Sequence, residues 1–94
     1  MFTHRIRIEL IPDSFTELSR KIQNDIMPML RLQKGFCDGL TFISPERGTA
    51  TEDTRWQTKA DAENYERNAY PQVLKTLSSV AKNKPTTAIF ESYQ

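Results

Sequence analysis

The order in which two residue periods alternate along this chain constrains its fold more than any other feature. Residues 3–10, THRIRIEL, alternate polar and apolar side chains, which predicts a strand. Residues 15–30 then place apolar side chains at steps of three and four, which is typical of a helix with one buried face. One face of the strand carries His4, Ile6, Ile8 and Leu10.

The second half of the chain continues the same alternation. Residues 36–44, FCDGLTFIS, predict a second strand, and residues 50–57, ATEDTRWQ, predict a polar third strand. The turn residues 45–48, PERG, lie between them, so the two strands form a hairpin. Thr58 caps a second helical stretch. Residues 86–93, TTAIFESY, predict the last strand.

Prolines and caps divide the two helical stretches. Ser14 and Glu17 have the spacing of a capping box at the start of the first. Pro28 removes a backbone donor inside it, so we expect a kink or a break there. Gly35 is the predicted helix stop, because glycine accepts the left-handed cap. Pro71 divides the second stretch and is best placed as the first residue of a new helical piece.

Two strand–helix–strand units in this order predict a ferredoxin-like β-α-β-β-α-β fold of the α+β class. Its four-stranded antiparallel sheet has both helices on one face. The 94 residues suffice for one domain, 1–94. The other sheet face is left bare, and a second copy of the chain would cover it, so we expect a homodimer. The apolar residues expected on that face are Phe36, Leu40, Phe42, Ile89, Phe90 and Tyr93.

Composition excludes several classes of function. Lysine and arginine number 13 against 12 acidic residues, a net charge of +1, so we expect no nucleic-acid partner. No apolar run approaches the roughly 20 residues that span a membrane, and the N-terminus lacks the apolar core of a signal peptide. We therefore expect a cytoplasmic protein without a membrane partner. One cysteine, Cys37, and one histidine, His4, predict no disulfide and no metal site.

Three short motifs carry a family resemblance. Lys34-Gly35-Phe36 opens the second strand, Arg55-Trp56 closes the third, and residues 58–65, TKADAENY, open the next helix. With the element order, they resemble the antibiotic biosynthesis monooxygenase-type domain of the dimeric α+β barrel superfamily. The resemblance implies a homodimer whose two sheets close into a barrel, with a pocket between sheet and helices in each subunit. Members include cofactor-free oxygenases, haem-degrading enzymes, small isomerases and proteins without known activity.

The candidate catalytic residues are His4 and Tyr65. An ordinary histidine pKa near neutrality suits a general base, although a strand-end position is the structural alternative for His4. Tyr65 lies nine residues after Trp56, where many members of the family place a histidine, and it either hydrogen-bonds a ligand or packs in the core. The indole of Trp56 either walls an aromatic pocket or packs the sheet against the second helix.

The third strand is polar on both of its faces. Together with the arginines of the first strand, it predicts either a hydrated interior for an acidic or hydroxylated small molecule, or salt bridges at the dimer interface. The register decides which face each residue occupies, because a slip of one residue exchanges the faces. The ligand-binding candidates are Trp56, Phe42, Arg7, Arg55 and Asn68.

The predicted function is a cofactor-independent monooxygenase, an oxidoreductase that acts on a small aromatic or quinol-like molecule. The deprotonated substrate would activate oxygen itself, while the protein supplies desolvation, a base and polar donors. One alternative is a non-enzymatic dimer that binds a small ligand or has a structural role. Another is a lactone- or muconate-type isomerase, which needs Arg7 or Arg55 in the pocket. We expect no cofactor and in particular no haem, because haem-degrading relatives hold iron through a histidine of the second helix and this chain has none there.

Overall fold

The computed structural model describes residues 1–93, and its elements follow the predicted order. The strands are β1 (Phe2–Glu9), β2 (Phe36–Ser44), β3 (Thr49–Trp56) and β4 (Thr86–Glu91). The helices are α1 (Phe15–Lys21), α2 (Met27–Leu30), α3 (Lys59–Asn68) and α4 (Tyr70–Leu77), and a π-helical turn, Ile22–Ile26, joins α1 to α2. We call Ile22–Ile26 the π turn.

The four strands form one antiparallel sheet in the order β2-β3-β1-β4, which confirms the ferredoxin-like prediction. Ile6 lies opposite Glu52, and Arg5 lies opposite Asp53. Because side chains alternate along a strand, the even-numbered residues of β1 and β3 share the side packed against the helices. The odd-numbered residues share the other side, which we call the open face. The open face carries Thr3, Arg5, Arg7, Asp38, Leu40, Phe42, Asp53, Arg55, Ala88 and Phe90.

The hydrophobic core lies entirely between the helices and one side of the sheet. Ile6 and Ile8 of β1 are each 1% exposed, because Leu18, Val73 and Leu77 from the helices join them in one buried cluster. Burial of side chains this large is the main free-energy gain of such a small fold. The open face receives none of this cover from the helices.

The apolar spacing of the first helical stretch explains the π turn. Leu18, Ile22, Ile26 and Leu30 are all buried and follow one another at steps of four. Four residues of an α-helix overshoot one full turn by about 40°, so three such steps would carry Leu30 about 120° away from Leu18. A π turn is wider and each residue turns less, so it takes up part of this overshoot. The interruption expected at Pro28 is present, since the π turn directly precedes α2, which contains Pro28 in its first turn.

Two of the predicted helix signals at the first stretch are wrong. No capping box forms, because the hydroxyl of Ser14 donates back to the carbonyl of Ile11 (2.6 Å) and Glu17 pairs with Arg20. The helix does not run to Gly35, because α2 ends at Leu30 and turns follow it.

The signals at the second stretch are right. The hydroxyl of Thr58 accepts a hydrogen bond from the backbone N–H of Asp61 (3.1 Å) and caps α3. Pro71 lies in the first turn of α4, where its missing N–H has no helical partner to lose.

The apolar residues expected on the bare sheet face lie in fact on both sides of the sheet. Leu40 and Phe42 are 57% and 56% exposed on the open face, and Phe90 is 38% exposed there. Phe36 and Ile89 were misassigned: both pack against the core, because a register irregularity follows Phe36 in β2 and Ile89 lies opposite the buried His4. Tyr93 follows the end of β4.

Candidate functional site

The structure brings three of the seven candidate residues together. His4 of β1, Trp56 at the end of β3 and Tyr65 of α3 meet on the helix-facing side of the sheet. Phe42, Arg7 and Arg55 lie on the open face. Asn68 lies on the exposed surface of α3, where its amide donates to the side chain of Asn64 (2.6 Å). A fourth member of the cluster, Tyr70, was not predicted.

Aromatic rings form the body of this cluster, which we call the buried cluster (His4, Trp56, Tyr65 and Tyr70). The rings of Trp56 and Tyr65 stack with centroids 4.8 Å apart and planes 25° from parallel. The imidazole of His4 meets Tyr65 edge-on at 5.0 Å and lies 5.3 Å from the ring of Tyr70. These are the offset and edge-to-face geometries that aromatic quadrupoles favour. The chain therefore holds a histidine inside an aromatic enclosure.

Hydrogen bonds fix the polar atoms on two sides of this enclosure. Nε2 of His4 is 3.1 Å from Oε1 of Glu66, a partner on α3 that sequence reasoning missed. The indole N–H of Trp56 donates to Oγ1 of Thr54 (2.9 Å). Burial lowers the pKa of His4, while the hydrogen bond and the charge of Glu66 act in the opposite direction. His4 is therefore favoured in its neutral form, which accepts a proton.

Three polar atoms of the buried cluster have no hydrogen-bond partner among residues 1–93. They are Nδ1 of His4 and the hydroxyl oxygens of Tyr65 and Tyr70. Burial also raises the pKa of both tyrosines, so each keeps its proton. Buried polar atoms normally find partners, so these three need an explanation, and a catalytic role is one that fits such atoms.

The buried cluster is closed. His4 and Trp56 are 0% exposed, Tyr65 is 1% and Tyr70 is 8% exposed, so almost no space as large as a water molecule touches the cluster. Core packing describes Trp56, and His4, the third residue of β1, is buried beside it.

Glu52 is a buried carboxyl that was not among the candidate site residues. It lies in β3 on the helix-facing side and is 3% exposed. Burial raises its pKa to about 7, the hydrogen bond from Thr41 opposes this effect, and the charge of Asp53 adds to it. The sequence did contain a signal for this burial. Glu52 and Trp56 are four residues apart in one strand, so their side chains lie on the same side of the sheet, and a strand that buries the indole also buries the carboxyl.

Two of the three arginines on the open face, Arg5 and Arg55, pair within the chain. Arg5 makes two hydrogen bonds of 2.8 Å to Asp53, and Arg55 makes bonds of 2.7 and 2.6 Å to Asp38. The polar third strand therefore forms salt bridges within the chain on this face, through Asp53 and Arg55. The isomerase alternative needed Arg7 or Arg55 beside the aromatic cluster, and neither lies on that side of the sheet.

Within residues 1–93, no group of three or more histidine, cysteine or acidic side chains is placed to hold a metal ion. Over the same residues, the helices are too short and too polar for any of them to cross a membrane.

Comparison with known proteins places the chain by its fold. No protein-family profile matches it, and no curated protein does. A monooxygenase from the gene ActVA-Orf6 of Streptomyces coelicolor, solved in complex with the ligand nanaomycin D, superposes with a TM-score of 0.81 at 13% identity, over 99% of this chain and 88% of that chain.

Two further structures show the range of this likeness. A protein from Bordetella bronchiseptica named as an antibiotic biosynthesis monooxygenase has a TM-score of 0.80 at 11% identity, over 99% of this chain and 97% of that one. The NE2512 protein of Nitrosomonas europaea, of unknown function, has a TM-score of 0.78 at 13% identity, over 99% and 89%. The predicted resemblance to antibiotic biosynthesis monooxygenases is thus confirmed at the level of the fold.

Proposed function

We propose that this protein is a cofactor-independent monooxygenase that acts on a small phenol or quinol-like aromatic. The observation that carries the proposal is the buried cluster, in which a histidine with a free Nδ1 and two tyrosine hydroxyls without partners lie between aromatic rings. The fold likeness to a monooxygenase solved with nanaomycin D supports it. A fold alone does not decide a function, so the residues of the cluster carry the argument.

The proposed reaction needs no external reductant. A base removes the phenolic proton, and the electron-rich anion forms a carbon–oxygen bond with O₂ to give a ring peroxide. The O–O bond then breaks as the same carbon loses its hydrogen. A phenol and one O₂ thereby yield a quinone and one water, and the substrate itself supplies the electrons.

Each member of the cluster has a role in this reaction. Trp56 and Tyr65, which stack on each other, form an aromatic wall for the flat ring once the cluster opens, and His4, neutral and oriented by Glu66, accepts the proton at Nδ1. The Tyr65 hydroxyl donates to the developing oxyanion. Because the cluster is closed, the substrate gains access only when the overlying helix α3 moves.

The same closure favours a second candidate function, a non-enzymatic dimer that binds a small ligand. A fully packed interior around Trp56 is what a domain without catalysis presents. In either case we propose that a second copy of the chain covers the open face, where Leu40, Phe42 and Phe90 are exposed beside charges already neutralised within the chain.

Oxygen uptake tests the enzymatic proposal. We expect the purified protein, treated with a metal chelator, to consume O₂ with a quinol such as 1,4-dihydroxynaphthalene faster than the uncatalysed solution does. Tyr65→Phe removes one hydroxyl that has no partner, so we expect a stable protein with at least tenfold lower rate. Asn68→Ala, on the exposed side of α3, should leave the rate unchanged. Uptake equal to the uncatalysed rate across one- to three-ring quinols would favour the non-enzymatic candidate.

A further inference from the structure

An open cleft lies between the first helical stretch and strands β2 and β3. Its volume is about 240 Å³. An apolar cavity of about 150 Å³ holds benzene, whereas drug-sized ligands occupy roughly 300–1,000 Å³. The cleft therefore fits a molecule of one or two rings. Its lining includes apolar Ile22, Met27 and Ile43 and polar, uncharged Ser19, Gln23 and Thr41.

Glu52 supplies the one ionisable side chain in this lining. One carboxylate oxygen, Oε1, accepts a hydrogen bond from the hydroxyl of Thr41. The other, Oε2, is buried and has no hydrogen-bond partner among residues 1–93. A buried acceptor without a partner costs about 1–3 kcal/mol, so a donor brought by a ligand would recover that loss.

Two features of the backbone make room at this carboxylate. Gly39 of β2 lies directly beside it, and a Cβ at that position would stand 3.2 Å from Oε2 of Glu52 and 3.4 Å from Sδ of Met27. The π turn supplies Ile22 from the opposite side, and such turns occur often at functional sites. Glycine on one side and a widened helix on the other therefore border the same group.

The donor count selects the ligand class. Oε2 is a single free acceptor, and a phenol brings a single O–H donor on a flat apolar ring. An ammonium group would bring three donors into a lining whose other walls are largely apolar. A carboxylate ligand would face the charge of Glu52 and, behind it in the strand, that of Asp53.

We propose that this cleft binds a neutral one- or two-ring phenol whose hydroxyl donates to Oε2 of Glu52. The inference rests on the proposed function for the reaction that follows, and it deepens that function by naming the substrate class and the entry site. Glu52 holds the phenol in its neutral form at this entry site, and the proton leaves only when the phenol reaches His4 in the buried cluster. Burial raises the pKa of Tyr65 most, and the charges of Tyr70 and Glu52 raise it further.

Calorimetric titration of the intact chain with 2-naphthol at pH 7.5 tests the inference. We expect measurable binding that weakens about tenfold in Glu52→Gln, which keeps the side-chain volume. Gly39→Ala should weaken it as well, because the added Cβ crowds Oε2. Glu46→Gln, in the exposed turn between β2 and β3, is the matched control and should bind as the parent does. 2-Methoxynaphthalene, which lacks the donor, should bind at least tenfold more weakly than 2-naphthol.

Four results would overturn the inference: no binding of 2-naphthol, equal affinity in the parent and both cleft variants, equal affinity for the ether, or tighter binding of 1-naphthylmethylamine. The two proposals fail separately. Oxygen uptake that is lost in Tyr65→Phe but unchanged in Glu52→Gln would refute phenol binding in the cleft and support the monooxygenase activity. Binding of 2-naphthol that weakens in the cleft variants as expected, without oxygen uptake, would support phenol binding in the cleft and refute the monooxygenase activity.

Discussion

Glu52 makes the stability of the protein depend on pH. Its pKa is raised from 4.5 to about 7 by burial, so between these values the folded protein binds more protons than the unfolded chain does. The free energy of unfolding therefore falls as pH rises through this window, by about 3 kcal/mol in total.

We predict that Glu52→Gln abolishes this loss. Urea denaturation should show the variant close to the parent at pH 4.5 and more stable than the parent at pH 8. The lowered pKa of His4 adds a rise in stability with pH through 6.5, but it is common to both proteins and cancels in the comparison. Parallel curves for parent and variant from pH 4.5 to 8 would contradict the prediction.

Tyr65 bears on the expected absence of haem. A tyrosine binds haem iron as the phenolate, and burial raises the pKa of Tyr65 and opposes that ionisation. We predict that hemin titration gives no saturable Soret shift, in the parent or in the Tyr93→Phe control, which alters an exposed tyrosine. A shift that saturates at one haem per chain and disappears in Tyr65→Phe would restore haem chemistry.

Two glycines with positive φ differ in what surrounds them. Gly35 has φ +82°, and a Cβ there would collide with the side chain of Asp61, whose Cβ would lie 2.7 Å away. Gly48 has φ +65° and open space around it. We predict that Gly48→Ala costs about 1 kcal/mol for the backbone conformation alone, and that Gly35→Ala costs at least about 1 kcal/mol more. Equal losses in urea denaturation would show that Asp61 moves aside freely.

Among the elements, the π turn contains one residue more than a regular α-helix would need to keep the same apolar face buried. Deleting Asn24, which is exposed, shortens the step from Ile22 to Ile26 to three residues, and steps of four, three and four suit a regular α-helix. We predict that this deletion leaves the free energy of unfolding within about 1 kcal/mol of the parent but abolishes 2-naphthol binding. Asn24→Ala, which keeps the residue count, should retain binding. A deletion variant that still binds would show that the turn only serves packing.

In the molecule as a whole, the open face is the surface that we expect a second copy of the chain to cover. Its exposed Leu40 and Phe42 lie near ion pairs that are satisfied within the chain, so a second copy meets no unpaired charge from them. We predict that light scattering at micromolar concentration gives about twice the chain mass of 10.9 kDa.

Two substitutions locate that interface. Phe42→Glu should shift the protein to monomer, because it places a new charge in the centre of the apolar area. Leu32→Glu, which alters an 84% exposed leucine after α2, should leave the dimer intact. A parent protein that scatters as a monomer would refute the dimer.

Local sequence patterns were enough to predict the order of elements and the sheet topology. Alternation in residues 3–10, the apolar steps from Leu18 to Leu30 and the position of Pro71 are local signals, because backbone period and proline sterics act within a few residues. The sequence also predicted core packing of Trp56 as one of two alternatives for its indole.

Which side chains meet at the site could be seen only in the folded chain. The contact of His4 with Glu66 joins residues 62 positions apart, and the pairing register alone sends Arg7 and Arg55 to one side of the sheet and Glu52 to the other. The failed cap at Ser14 is a local error instead, since its hydroxyl donates to the carbonyl of Ile11 three residues earlier. Local propensity reaches only a few residues along a chain, whereas a site is made of side chains that packing brings together from distant strands and helices.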